Sequence, residues 1–302
     1  QAVDLLQLHP LAIENAIRDL QVNSQLLQEK LNGEDCVYLN YYFYAEMSVA
    51  KRLLELSADY DAPNMESIAT EIARVEKETG VVLAEEQTGG RGRLGRSFQS
   101  PRGCGLYLTA LLRPQLPPIE VVDFTAWVAV AVCDGIQAAC GVRPRIKWTN
   151  DIVLEGKKLC GILTEMGLEN EINALQYLVT GIGVNVNQRP EDFSPDVRPI
   201  AASLFNVLGR PVRRSELAVQ IIRALDRMYS AFPQGKADYL ARYRADCLTP
   251  GNRVQLITPA SRTEATALSI DDEFRLVVEY DDGRREALSA GEVSVRGMYG
   301  YV

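Results

Sequence analysis

The sequence predicts an α/β catalytic domain followed by a small, closed β domain. Three observations predict it. Up to about residue 248, runs with strand spacing alternate with amphipathic or apolar helical runs. From Gly251 onward only five short strand-like runs remain. The length of 302 residues suits about two domains.

In chain order, 10–31 has helical apolar spacing and is predicted to be a helix stopped by Asn32-Gly33. A strand is expected at 37–44, a helix over 46–57 opening near Ser48, a loop at 58–66 and a helix over 67–78. Val81 to Glu85 reads as a buried strand, Gly105 to Leu112 as another, and 119–140 as a long apolar helix. Arg145 to Trp148 is a strand that ends in the turn Thr149-Asn150-Asp151. Residues 152–154 and 158–166 form a hairpin about Glu155-Gly156-Lys157, and 176–187 adds a strand. Helices are expected at 214–232 and 236–245. The terminal strands are 253–257, 264–270, 275–280, 286–288 and 292–296, with a hairpin signal at Asp281-Asp282-Gly283. The predicted domains are a helical extension (1–36), a catalytic domain (37–248) and a β domain (249–302).

Composition narrows the function. The chain is 47% hydrophobic and 24% charged, an ordinary globular balance. No apolar run approaches the roughly 20 residues that span a membrane. Its start lacks the zones of a signal peptide. A net charge of −8 argues against broad nucleic-acid binding. The six cysteines show no metal-type pairing and suit a reducing cytoplasm. One histidine leaves no basis for a His-based triad or zinc site.

The most informative stretch is 84–98, in which Gly90, Arg91, Gly92, Arg93, Gly95 and Arg96 alternate. Glycine lets backbone approach a ligand, and arginine supplies a planar fork of donors for phosphate. The stretch formally matches a dinucleotide-binding loop, but Pro101 and the glycines of 97–105 forbid the helix that such a loop opens. It nearly matches a P-loop, except that Arg96 stands where lysine belongs, which disfavours that reading. A purely structural turn would leave three arginines repelling one another.

A second block, Lys147-Trp148-Thr149-Asn150-Asp151, precedes Lys157-Lys158-Leu159-Cys160-Gly161-Ile162. Asp151 and Asn150 could hold Mg²⁺ or a substrate amine. Strand alternation places Lys158 on the face of Cys160, Ile162 and Thr164, where its charge needs a partner or a route to water. The third block, Gly181 to Asn187, puts Gly181, Gly183, Asn185 and Asn187 on one face, either a floor for a ligand or a seat for a helix.

In order, EEQTGGRGRLGRSFQSPRGCGLYLT, KWTNDIVLEGKKLCGILTE, GIGVNVN and GEVSVR resemble biotin protein ligases over about residues 37–296. The resemblance implies a class II synthetase-like, mixed-sheet catalytic domain with an SH3-like β-barrel. It implies a cytoplasmic, ATP-dependent enzyme that makes biotinyl-5′-AMP with Mg²⁺, then transfers biotin to a lysine of a biotin carboxyl carrier protein. By the same resemblance Gly90, Arg91, Gly92, Arg93 and Arg96 wrap biotin and the adenylate, and Gln87 and Tyr107 meet biotin. Lys158 binds the reacting carboxylate and α-phosphate, and Gly161 and Ile162 lend backbone to the pocket. Asn150 and Asp151 face the metal or incoming lysine, and Asn185 the nucleotide; Lys158, Arg93 and Asp151 are the catalytic set.

Two departures stand out. The family's Ser-Thr-Asn is here Ser48-Val49-Ala50, which removes partners of the ureido ring and implies weak biotin binding, a shifted pocket or another acid substrate. Thr149 replaces the family's proline. Residues 1–36 are too short and insufficiently basic for the DNA-binding domain of some members, so no DNA partner is expected. A lipoate or octanoate ligase and a non-catalytic biotin or adenylate binder are the competing readings.

Overall fold

The computed structural model of the protein describes residues 26–31, 34–39, 80–92, 97–169, 174–258, 261–289 and 294–297. The chain divides into two units, Gln1–Met65 and Glu66–Val302. In the first, β1 (Leu26–Leu31) pairs antiparallel with β2 (Glu34–Leu39), Leu31 opposite Glu34. This corrects the predicted helix over 10–31 at its end. Asn-Gly signals a two-residue hairpin as well as a helix stop, and the pairing of the flanking runs decides for the hairpin. The helices predicted over 46–57 and 67–78, with the loop between them, lie outside the described residues.

The second unit is built on a six-stranded sheet. Its strands are β3 (Gly80–Ala84), β4 (Leu106–Leu112), β5 (Arg145–Lys147), β6 (Asp151–Leu154), β7 (Lys157–Glu169) and β8 (Ala174–Val184), in the order β3-β4-β8-β7-β6-β5. Every pair is antiparallel, so the expected mixed sheet is corrected to an antiparallel one. Short links such as 155–156 make that the accessible pairing.

Partners across antiparallel strands share a face, so the register sorts the side chains. One face carries Leu108, Ile182, Ile162, Cys160, Ile152 and Ile146. All are buried and belong to one core with helix α1 (Phe124–Cys140). Residues 126–133 of α1 are fully enclosed, as expected of a helix that is apolar all round. The helix predicted from 119 begins instead at Phe124, after a 3₁₀ turn at Pro118–Val121. Gly141, at φ 77°, ends it with its N–H on the carbonyl of Gln137.

Helices α2 (Leu204–Leu208), α3 (Arg214–Ala231) and α4 (Lys236–Asp246) follow; α2 was not foreseen. Gly135 of α1 meets α3 so closely that an added Cβ would lie 2.6 Å from the Cα of Ile221. Asp246 receives three guanidinium contacts from Arg143, and Trp127 stacks on Tyr239 at 4.4 Å.

The terminal strands are β9 (Arg253–Ile257), β10 (Arg262–Ile270), β11 (Leu276–Glu279), β12 (Arg285–Leu288) and β13 (Ser294–Gly297), ordered β12-β11-β10-β9-β13. All five foreseen strands are present. Among the described residues no pairing joins β12 to β13, so the sheet is open where a closed domain was expected. It docks through Phe274, whose carbonyl accepts the Trp148 indole N–H at 2.9 Å and whose ring meets Tyr243 edge-on at 5.4 Å.

Gly135→Val tests the packing of α1 on α3. Overpacking at a backbone contact costs about 1–3 kcal/mol or more. Urea denaturation of the variant is expected to give a lower midpoint with an unchanged slope.

Candidate active site

The face of the sheet away from α1 carries Asp151, Gly161, Gly183, Tyr107 and Ala84 in one register row. A row with two glycines at its centre is a shallow floor. Lys158 joins this face through a β-bulge: Ile152 pairs with Cys160 but Val153 with Lys158, leaving Leu159 as the extra residue. The placement of Lys158 beside Cys160 and Ile162 is therefore corrected. The inserted residue reverses the alternation, and Lys158 lies instead against Gly161, an added Cβ there meeting its Cε at 3.3 Å and Nζ at 3.4 Å. Its ammonium pairs with Asp151 Oδ1 at 2.6 Å, both side chains being largely shielded.

The bulge is held in place from behind. Lys158 donates its N–H to Ile200 at 2.8 Å, and its carbonyl accepts from Ala202 at 2.9 Å. Asn185, buried, donates its amide to Ala202 O at 3.1 Å and approaches Lys158 O at 3.5 Å. Its oxygen accepts from the amide of buried Gln188 at 3.3 Å. Asn150 donates its amide to Ile162 O at 2.7 Å and accepts from Ile162 N–H at 3.0 Å with its backbone. Both asparagines thus brace β7, the strand bearing Lys158, and Asn187 braces the segment beyond by exchanging two hydrogen bonds with Val212.

The glycine-arginine loop folds back on itself over this floor. Gln87 pairs with Ser100, Gly90 with Phe98 and Arg91 with Ser97. The Ser100 hydroxyl donates to Gln87 Oε1 at 2.6 Å. An added Cβ on Gly90 would stand 2.3 Å from Phe98 O, so the approach requires glycine there. The Phe98 ring lies against the floor, where an added Cβ on Gly183 would meet it at 2.6 Å and one on Gly161 at 3.4 Å. Arg91 is exposed and reaches Glu165 at 3.7 Å, on the face of Gly161 and Leu163. Gly92 continues the described stem.

Burial drives the chemistry of the floor. Tyr107 is 2% exposed, and burial pushes its phenol well above the usual range, so it stays a neutral donor to Pro101 O at 2.9 Å. Burial likewise raises the Cys160 thiol, on the opposite face, despite the nearby ammonium of Lys158. Neither group is placed to act as a nucleophile.

The structure therefore brings Gln87, Gly90, Arg91, Gly92, Tyr107, Asp151, Lys158 and Gly161 to one side of the sheet, with Asn150, Ile162 and Asn185 behind or beside them. Ser48, Arg93 and Arg96 lie outside the described residues. Two contributors were not foreseen. Phe98 is the one aromatic residue in a polar loop, a signal that could have been used. Arg214 pairs with Glu85 across 129 residues of sequence, which no local pattern announces. Among the described residues no group of three or more His, Cys, Asp or Glu could hold a metal. Asp151 is paired with Lys158, and the described residues offer no cage of carboxylates for Mg²⁺.

A glycine floor, a shielded lysine-carboxylate pair and an arginine-bearing cover form a surface with the chemistry to receive an anionic ligand under a loop. Comparison with known proteins makes the class specific. The model of the Biotin/lipoate A/B protein ligase family matches residues 68–185. A biotin--[acetyl-CoA-carboxylase] ligase of Mycobacterium tuberculosis is 31% identical over 247 residues, 80% of this chain and 88% of that protein. The bifunctional ligase/repressor BirA of Bacillus subtilis is 35% identical over 211 residues, 70% of this chain. That match spans 64% of the repressor's own length. The fold is also that of the biotin protein ligase from Aquifex aeolicus in complex with biotin and ATP, at a TM-score of 0.61 and 23% identity, over 75% of this chain and 94% of that one.

The chain belongs to the biotin protein ligase family.

Gly183→Val tests the seat of the loop. The new side chain is expected to displace the Phe98 ring and break the Phe98–Gly90 hydrogen bond. Amide exchange at Phe98 should accelerate while amides of β8 beyond residue 180 keep their protection.

Proposed function

We propose that the protein attaches biotin to a lysine of a biotin carboxyl carrier protein, using ATP and passing through biotinyl-5′-AMP. The observation that carries this reading is the Lys158–Asp151 pair at 2.6 Å on a glycine floor beneath the Arg91-bearing loop. Activation of a carboxylate by ATP brings negatively charged groups together, and catalysis needs fixed positive charge and placement. In this proposal the loop lies over bound biotin and adenylate, with Gln87 and Tyr107 towards biotin.

In the first step a carboxylate oxygen of biotin attacks the α-phosphorus and the bond to pyrophosphate breaks. The Lys158 ammonium offsets the charge that gathers on the reacting oxygens. Asp151 orients the Lys158 ammonium. In the second step the neutral ε-amine of the carrier lysine attacks the acyl carbon, the acyl–phosphate C–O bond breaks, AMP leaves and the proton lost from the amine passes to solvent. Arg93 and Arg96 are assigned to the same anionic groups on the loop motif alone, and Asn185 to the nucleotide side. Mg²⁺ would arrive on the phosphates of ATP, where it would neutralise charge, with Asp151 as its one proposed protein contact.

The proposal also retains the domains read from the sequence, 1–36, 37–248 and 249–302, and an SH3-like character for the last, on its five short antiparallel strands. Residues Val49 and Ala50 imply that ureido recognition is weak or differently built. A cytoplasmic location belongs to the proposal as well. No helix among the described residues is long and apolar enough to cross a membrane.

Lys158→Ala is expected to lower the rate of biotin-dependent pyrophosphate release by about 10²–10³. Labelled biotin, ATP and a carrier domain form the assay. Labelling of the carrier supports the proposal. Labelling by lipoate and not biotin assigns the chain to the lipoate branch. Binding of biotin with no pyrophosphate released from the wild type defeats the enzymatic reading.

A further inference from the structure

We propose that Arg214 is a positioning residue that clamps both stems of the glycine-arginine loop and thereby sets substrate affinity. The loop leaves the sheet after Ala84 and returns at Leu106. Arg214 Nη1 lies 2.9 Å from the carboxylate of Glu85, on the outgoing stem. The same nitrogen donates to the carbonyl of Gly105 on the returning stem at 3.2 Å. The Glu85 carbonyl accepts from Gly103 N–H at 3.2 Å, so the two stems are also joined directly beside the guanidinium. The side chains of Arg214 and Glu85 are only 23% and 14% exposed, which shields the pair from the screening that weakens surface ion pairs.

The clamp has a rigid anchor. Arg214 is the first residue of α3, whose Leu217, Ala218, Ile221 and Ala224 are buried. Gly135 fixes that helix against α1 at backbone contact. The chain of contacts thus runs from the core helix through α3 and one guanidinium to the base of the loop. It continues along the Gln87–Ser100 and Gly90–Phe98 pairs to the ring over Gly183. Nothing in this chain touches the reacting atoms. Loss of the clamp leaves the loop to be ordered by the ligand, and that ordering cost appears in binding and not in the chemical step.

For its effect on turnover the inference rests on the ligase reading; for its effect on the loop it does not. The variants are Arg214→Met, Arg214→Lys and Glu85→Gln. Two readouts are taken on the full chain: the rate of tryptic cleavage after Arg91, Arg93 or Arg96 relative to cleavage elsewhere, and KM for biotin and ATP against kcat. A charge-assisted contact of this kind predicts about a tenfold rise in loop cleavage and in KM for Arg214→Met, with kcat within about twofold. Arg214→Lys should recover part of both effects. Thermal unfolding identifies a variant that has lost its fold; Glu85→Gln then carries the same measurement from the other side of the pair. Unchanged loop cleavage in a folded variant, or a fall in kcat at constant KM, overturns the proposal. If the wild type transfers no biotin while loop cleavage still rises tenfold, the clamp stands and the ligase reading falls.

Discussion

The Lys158–Asp151 ion pair is the interaction on which the site depends, and the bulge at Leu159 creates it. Without the extra residue the ammonium would point into the apolar face beside Cys160 and Ile162, where a charge has no compensation. With it, the lysine crosses to the glycine floor and meets a carboxylate from the neighbouring strand. The bulge is costly in pairing, and its orphaned backbone groups are met from outside the sheet. The segment 200–202 accepts and donates there, and Asn185 spans Ala202 and Lys158 from behind. Bulges recur next to active sites because they aim a side chain that regular pairing cannot.

The loop above is built on the complementary principle. Its stems pair with each other before any ligand arrives, through Gln87–Ser100 and Gly90–Phe98. Gly90 and Gly183 serve different ends in this. The first lets two backbones come close, and the second leaves room for an aromatic ring. Pre-pairing the stems reduces the chain entropy that a ligand must overcome to close the cover. The ring of Phe98 in turn gives the floor an apolar wall beside its charged pair, a combination suited to an acid with a hydrocarbon chain.

Much of this was legible in the sequence. The strands at 106–112, 253–257 and 285–288 follow from alternation and turn residues, and α1 follows from a long apolar stretch rich in Val and Ala. The residues of the floor were identified by type, since two strands rich in glycine beside a lysine have few structural uses. The face occupied by Lys158 was misread because a one-residue bulge leaves no mark in hydrophobic spacing. The hairpin at 26–39 was misread because Leu, Gln and Lys suit a helix in isolation, and pairing across Asn32-Gly33 decides otherwise. Arg214 was invisible because its partner lies more than 100 residues away. Long-range pairing is a property of the fold, not of any window of sequence.

The central claim is that the Lys158 face of the sheet is where the activated acid lies, and competitive lysine labelling tests it most directly. The protein is acylated briefly with a small amine-reactive ester, with and without biotin and ATP, and each lysine is quantified by mass spectrometry. The account predicts that the ligands protect Lys158 while the adjacent, exposed Lys157 and the distant Lys236 keep their reactivity. Equal labelling of Lys158 in the presence and absence of ligands that demonstrably bind would contradict it.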